Sequence, residues 1–237
     1  FLRANVQSIE NKGRYVHKGN LLLWGLRYQN EQINDQLSEW NLIDSAGYAL
    51  SNSAQMIELK DVIRTKIKLN TNRVNGFIQN SFSFNSDKSL QLTTGIRATY
   101  WDYTKELNLS PRITLSFHPK WKQDWVFRAS TGLYYQPPFY RELRNYDGTL
   151  STNPAAQKSI HYVLAADKQF ISFGGRKFKF ISEMYYKQMD QIIPYEVDNV
   201  RIRYYANDKA KAYAKGIDFK VNGEFVKDLE SWFSLSF

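Results

Sequence analysis

The sequence has no cysteine. That excludes a disulfide scaffold and any thiolate metal site, and it favours no compartment. Long hydrophobic runs are missing too. Nothing approaches the roughly 18 consecutive apolar residues of a membrane helix, and the mean hydropathy is −0.54. A helical membrane protein is therefore excluded. A protein that crosses a membrane with strands is not, because such strands are apolar only at every second position and average out polar. Histidine is scarce: His17, His118 and His161 lie on separate segments, and none stands in an HExxH or comparable ligand spacing. There is no GxSxG, Walker loop or GxGxxG, and Gly174-Gly175 reads as a turn. Asp102, Glu106, Glu142 and Asp147 read as solvated loop acids or calcium-bridging acids. A glycosidase would need two of them across one cleft. No catalytic residue, metal site or cofactor is expected. The net charge of +9 comes from basic residues spread along the chain without a cluster or recognition motif, so nucleic acid is not an expected partner. The chain opens on Phe1 without a leader, and both ends read as strand interiors. It is expected to be a piece of a longer chain, cut at Phe237.

What the sequence does have is alternation. Leu90, Leu92, Ile96, Ala98 and Tyr100 alternate with Gln91, Thr93, Arg97 and Thr99. The pattern returns at Leu109, Ile113, Leu115 and Phe117, and again at Trp125, Phe127, Ala129, Leu133 and Tyr135. Period two marks strands with one apolar and one polar face. These runs are about double the usual globular strand and match the roughly 9 to 11 residues that a tilted strand needs to cross a bilayer core. About ten such strands are predicted: Leu2–Glu10, Asn20–Gln32, Arg73–Phe84, Ser89–Asp102, Leu107–Phe117, Trp125–Tyr135, Ser159–Phe170, Lys177–Met189, Ala212–Asn222 and Ser231–Phe237. Shorter strand-like stretches are Ile57–Leu69 and Asn199–Tyr205.

The connections alternate as well. Asn85–Lys88, His118–Asp124, Ser172–Arg176 and Gly223–Glu230 are compact, whereas Gln136–Lys158 and Gln191–Lys211 are long. All the short ones fall at one end of the strands and both long ones at the other, as in outer-membrane barrels. Tyr103–Glu106 strains this parity by being short at the loop end, and Ile33–Asn72 reads as a mostly extracellular excursion. One face carries Phe178, Phe180, Met184 and Tyr186, then Tyr213, Ile217, Phe219 and Val221. Strand-end aromatics (Trp101 and Tyr103, Trp121 and Trp125, Tyr134 and Tyr135, Trp232 and Phe233) suggest interfacial girdles.

Five segments carry a resemblance. They are YYQPPFYRELR (Tyr134–Arg144), STNPAAQKSIHYVLAADKQF (Ser151–Phe170), EMYYKQMDQIIPYEVDNVRIRYYAN (Glu183–Asn207), AYAKGIDFKVNGEF (Ala212–Phe225) and EWNLIDSAGYAL (Glu39–Leu50). In their order along the chain, with Glu39–Leu50 upstream of the other four, they resemble barrel segments of Bacteroidetes TonB-dependent outer-membrane receptors. The resemblance implies an all-β fold, an antiparallel up-and-down transmembrane β-barrel of about 22 strands, of which residues 1–237 supply part. It implies a plug domain and TonB box outside this chain. It also implies TonB-coupled uptake of a scarce solute (a siderophore, vitamin, glycan or peptide) across a Gram-negative outer membrane. The implied partners are that solute, TonB through the plug region, outer-membrane lipid and lipopolysaccharide, and a surface lipoprotein if the solute is a glycan or peptide.

Within this frame one cluster is the candidate ligand site: Tyr134, Tyr135, Phe139, Tyr140, Arg141, Arg144, Tyr146 and Asp147, running from a strand end into a long loop. Aromatic rings stack on sugars or flat ligands, and guanidinium groups take carboxylates or phosphates bidentately. Tyr134 and Tyr135 are also girdle candidates. Arg97, Arg112 and Arg128 lie on the polar faces of three strands and are expected to face the lumen, as an electropositive wall or as partners of the plug. Two rivals stay open: a passive porin-like or structural outer-membrane barrel, and a soluble aromatic-rich glycan-binding β-domain.

Overall fold

Alternation dictates the architecture. A computed structural model describes residues 1–42, 44–45, 48–49, 59–85, 87–152, 154–198 and 201–237. Its strands are β1 (Leu2–His17), β2 (Asn20–Leu42), β3 (Asp44–Ser45), β4 (Tyr48–Ala49), β5 (Leu59–Ser83), β6 (Leu90–Trp101), β7 (Glu106–Phe117), β8 (Asp124–Gln136), β9 (Gln157–Ser172), β10 (Arg176–Ile192), β11 (Tyr195–Asp198), β12 (Arg201–Tyr204), β13 (Ala210–Val226) and β14 (Leu229–Ser236), with one 3-10 turn at Tyr140–Leu143. Ten strands form one sheet in the order β1-β2-β5-β6-β7-β8-β9-β10-β13-β14, while β3-β4 and β11-β12 form small hairpins within two connections. Every neighbour in the large sheet is antiparallel and next along the meander. Among the described residues no strand pairs with the outer edge of β1 or β14. No helix is long and apolar enough to cross a membrane.

The register sorts the side chains by chemistry. Phe82, Leu92, Leu115, Ala129, Leu164, Met184 and Ile217 form one cross-strand row over seven strands. On the other face hydroxyls meet, with Ser81 Oγ 2.9 Å from Thr93 Oγ1 and Ser130 Oγ donating to Thr114 Oγ1 at 3.1 Å. Such pairs and the ladder between them stabilise a sheet face by face. The parity of the connections holds except at the turn after Trp101, which is short although it lies at the loop end, and where the Lys105 amide donates to Trp101 O at 2.9 Å. At the opposite end β1 and β2 are joined by Lys18-Gly19, with φ of 46° and 82°. Both values are positive, as in the mirror-image turn whose twist matches that of paired strands.

The excursion Ile33–Asn72 is built on both flanks of strand paired with strand rather than of loop. β2 and β5, of 23 and 25 residues, run through it and stay paired without a shift from Leu21↔Ser81 to Asn41↔Asp61. The reason lies on the outward face. Along β2 it reads Leu22, Trp24, Leu26, Tyr28 and then Asn30, Gln32, Asn34, Gln36, and along β5 Arg64, Lys66, Lys68, Asn70, Asn72 precede Val74. Beyond Asn30 the outward face turns polar while Ile33, Leu37, Ile63, Ile67 and Leu69 stand on the other face, so the apolar side of the alternation reverses although the strand continues. Asn30 Nδ2 marks the boundary by donating to Asn70 Oδ1 and Asn72 Oδ1 at 2.9 and 3.0 Å. The predicted Ile57–Leu69 is thus the upper part of β5, with Ile57 and Glu58 outside the described residues. The predicted Asn199–Tyr205 is β12 with β11 as its partner, and Asn199 and Val200 lie outside the described residues. β1 likewise extends to His17 through the polar Asn11–Arg14, because Leu21–Leu26 pairs with it.

The girdle reading is corrected for three residues. Trp101 lies on the polar face, is 1% exposed and carries the Arg73 guanidinium 4.0 Å above its ring. Tyr103 Oη donates to Ser151 O at 3.0 Å. Tyr134 shares the face of Arg128, by the alternation of β8. A further aromatic cluster of the apolar face lies at the turn end. There Phe178, 3% exposed, touches Phe170, Phe173 and Phe225 at ring distances of 5.2–5.6 Å. Gly223 stands opposite Phe178, and a Cβ there would lie 2.2 Å from Phe178 Cδ1. Gly223→Ala is expected to cost about 1–3 kcal/mol through displacement of that ring. Combined with Phe178→Ala, it should add less than its separate effect, because both changes act on one contact. Urea unfolding of the reconstituted protein checks this, and full additivity would mean that the ring does not rest on Gly223.

Candidate functional site

The connection from β8 to β9 folds back over the polar face. Its carboxylate anchor is Asp35 on β2, 6% exposed. Tyr140 Oη donates to Asp35 Oδ2 at 2.7 Å, and Arg144 Nη1 donates to the same oxygen at 3.2 Å. β2 is four strands from β8 in the sheet, about 19 Å at roughly 4.8 Å per strand, so this contact spans the sheet. A buried carboxylate needs such partners, since an unpaired one is expensive. Burial and the bond to Asp35 together push the Tyr140 phenol well above the usual tyrosine range.

Local bonds stiffen the connection. Glu142 accepts from the Phe139 amide at 3.1 Å and from Gln157 Nε2 at 3.0 Å. Ser151 Oγ donates to Asn207 Oδ1 at 2.8 Å, which ties this connection to the one between β10 and β13. Pro138, Leu143 and Ser151 are almost wholly buried. Asp147 accepts from the Thr149 amide and hydroxyl at 2.9 and 2.7 Å. Those two donors hold its carboxyl below the usual range, so it stays ionised.

Between this connection, the upper hairpin of β2 and β5, and the β11-β12 hairpin lies a cavity of about 380 Å³. Asp35, Leu37, Glu39 and Ile63 form its floor; Tyr140, Arg141, Arg144, Asn145 and Tyr146 form one wall; Ile202, Arg203 and Tyr204 form the other. Arg203 lies 4.6 Å over the Tyr146 ring and donates to its hydroxyl. A second cavity of about 660 Å³ adjoins it across Tyr146 and Tyr204, with Asp147, Thr149, Tyr205 and Asp208 among its lining. Burial, with Glu142 nearby, raises the Tyr204 phenol, and a bond to Glu196 raises Tyr205. The rim phenols therefore remain neutral donors beside three guanidinium groups. That set suits an oxyanion or a flat ligand.

The eight candidate residues separate. Tyr140, Arg141, Arg144 and Tyr146 meet at the first cavity, and Asp147 lines only the second. Phe139 lines neither and packs edge-on against Tyr204 at 5.6 Å. Tyr134 lies deeper on the sheet, stacked on His161 at 4.2 Å and under Arg112 at 4.3 Å. Tyr135, one residue on, points to the apolar face and cannot join them. Arg97, Arg112 and Arg128 do share the polar face. Arg128, however, makes two bonds to Asp167 at 2.9 and 3.0 Å, and Lys179 approaches the same carboxylate at 3.1 Å. Its charge is spent within the wall. Arg97 lies 6.0 Å from the Phe77 ring. Asp35, Glu39, Arg203 and Tyr204 escaped the sequence reading. The Arg203-Tyr204-Tyr205 run, aromatics beside arginine in the other long loop, was the signal for two of them. Among the described residues no group of three or more His, Asp or Glu could hold a metal ion.

Tyr140→Phe is expected to remove one charge-assisted bond and weaken loop docking by about 1.5–3 kcal/mol. Hydrogen exchange over residues 137–156 reads this directly. The folded phenol titrates above its unfolded value of about 10, so its contribution is complete below that pH and is lost only as pH rises beyond it. Docking should stay level from neutral pH to about 10. Loss near neutrality would mean that another group controls it.

The family model "TonB dependent receptor-like, beta-barrel" matches residues 3–237. No curated protein matches the chain. Among solved structures, the copper transporter OprC superposes with a TM-score of 0.67 at 11% identity, over 100% of this chain and 37% of that one. A variant of the ferric enterobactin receptor PfeA of Pseudomonas aeruginosa, in complex with enterobactin, gives 0.64 at 15% identity, over 100% and 36%. The siderophore receptor PirA of Pseudomonas aeruginosa gives 0.62 at 12%, over 99% and 41%. At such identities the likeness is one of fold, and the chain spans well under half the length of each. The matched family is one of receptors rather than enzymes, and this chain belongs to it: the TonB dependent receptor-like β-barrels.

Proposed function

We propose that residues 1–237 form part of the barrel of an outer-membrane receptor that takes up a scarce solute with energy from TonB. The plug domain and TonB box lie in other parts of the protein. The loop end faces outward, and the solute first docks in the cavity beneath the 137–156 connection. The observation that carries this reading is the cavity itself. At the open end of a wall whose other end has only tight turns, two long connections fold together and gather Arg141, Arg144 and Arg203 beside Tyr140, Tyr146 and Tyr204. An always-open pore fits less well, because buried Leu143 and Ser151 belong to a folded cap over the polar face.

The chemistry of that lining favours a solute with a carboxylate, phosphate or other oxyanion. Arg141 meets it from the rim. Arg144 already serves Asp35, so an arriving anion competes with Asp35 for the guanidinium, and docking loosens the cap that the carboxylate holds down. Binding to the full-length receptor can be tested with anionic probes (ferric enterobactin, ferric citrate, a uronic-acid oligosaccharide) against cobalamin as an uncharged comparison. At least one anionic probe should bind, and Arg141→Gln should weaken it about tenfold, the loss expected for one charged hydrogen bond. Preference for the uncharged probe, or indifference to Arg141→Gln, would place the site elsewhere. Uptake should cease in cells that lack TonB, and persistence would sink the coupling.

A further inference from the structure

The short turn after Trp101 leaves a notch in the loop end of the sheet. β6 pairs with β5 no higher than Arg73↔Trp101, whereas β5 continues to Leu59 beside β2 alone. The last bonds across the notch fix the orientation of the backbone. The Asp102 amide donates to Asn72 O at 3.1 Å, and the Asn72 amide donates to Asp102 Oδ1 at 2.9 Å. Both main-chain groups of Asn72 thus point toward the β6 side. By the alternation of an antiparallel ladder, those of Asn70, Lys68, Lys66, Arg64 and Val62 do the same. Among the described residues nothing bonds them there. This open edge is about 27 Å long, and the side chains of those residues are exposed.

Charge is laid along the edge on one face. Arg64, Lys66 and Lys68 share the outward face, where β2 sets Ser38, Gln36 and Asn34 opposite them. None of the three has an ion pair among the described residues. The inward face of the same stretch carries Ile63, Ile67 and Leu69. The cap rests on that face at Thr65, where a Cβ on Gly148 would stand 2.6 Å from Thr65 Cγ2. An unpaired edge that is basic on one face and apolar on the other is complementary to an extended segment that alternates acidic and apolar side chains. Main-chain bonds would hold such a segment, and opposite charges across the strands would select it.

We infer that this edge takes an extended acidic segment of another protein at the cell surface, added as a strand beside residues 62–70 in the line of β6. The basic row chooses the occupant. It lies on the outward face, away from the cavity under the cap, so the segment belongs to a partner beside the barrel and not to a solute on its way in. A second copy paired edge to edge about a twofold axis would set basic row against basic row. Lysines on an edge keep most strands away, but facing carboxylates they attract. The inference rests on the outward placement of the loop end proposed above.

The probe is a fluorescent peptide of about nine residues that alternates Glu and Val, titrated into the receptor in detergent. The acidic peptide should bind, and its counterpart with Lys in place of Glu should not. Binding should slow hydrogen exchange at the amides of Arg64, Lys66 and Lys68, while those of Thr65 and Ile67, already bonded to β2, stay unchanged. Lys66→Gln/Lys68→Gln should weaken binding about fivefold. Lys66→Pro removes one edge amide and leaves the β2 ladder whole, so it should bind about fivefold more weakly than Lys66→Gln, which loses only the charge. Binding without that alternating protection overturns the inference, as does equal affinity of Lys66→Pro and Lys66→Gln. Displacement of the peptide by an equal charge of polygalacturonate, which cannot pair as a strand, overturns it too. A membrane-impermeant maleimide should label Lys66→Cys in intact cells. If it does not, the outward placement falls and the inference with it; if it does and the peptide ignores the edge, the inference falls alone.

Discussion

A slip of one residue in any ladder of the large sheet would exchange the two faces of a strand. Everything else depends on that register. It places Phe82, Leu92, Leu115, Leu164, Met184 and Ile217 in one apolar row, and it keeps Arg97, Arg112 and Arg128 together on the other side. It decides that Tyr134 joins Arg112 and His161 while Tyr135, its neighbour, does not. In a bilayer the same ladders have a second duty. Backbone groups find no water there, and strands satisfy them only through their neighbours.

The strands were legible wherever one face is apolar and the other polar. That is why β6, β7 and β8 could be read almost to the residue. The upper half of β5 was legible only as the separate stretch Ile57–Leu69 and that of β2 not at all, because Asn34, Gln36, Lys66 and Lys68 face outward where Leu22, Trp24, Ile78 and Phe82 do lower down. The pattern recorded the environment of the strand, not the strand itself. The arginine-rich loop was legible as a binding cluster, since its composition is local. Its anchor was not. Asp35 and Tyr140 are 105 residues apart, and no local pattern pairs a strand residue with a loop four strands away.

That anchor explains why the cap holds its shape. A carboxylate 6% exposed is costly to leave without donors, and the donors to Asp35 are both on the cap. Removing either leaves the other to carry the full charge, so the loop is held by a contact that is costly to half-make. Further ties join the cap to its surroundings: Ser151 bonds Asn207 in a second loop, Tyr103 of the β6–β7 turn donates to Ser151 O, the Ala156 amide donates to Glu106 on β7, and Arg73 on β5 donates to Pro138 O. Cavity, cap and upper hairpin therefore form a single mechanical unit.

The basic excess acquires meaning only once residues are assigned to faces. Wall cations are largely occupied: Arg128 by Asp167, Arg73 by the face of Trp101, Arg112 by Tyr134. Arg141, at the cavity rim, has no ion pair or ring contact among the described residues. Lys211 and Lys215 are equally unmatched on the apolar face. The net charge of +9 is therefore no uniform surface property. The wall cations are held by carboxylates and rings, whereas Arg141 at the cavity rim and Lys211 and Lys215 on the apolar face have no ion pair among the described residues. A change at Arg141 thus alters the charge of the cavity without disturbing the ladders of the sheet.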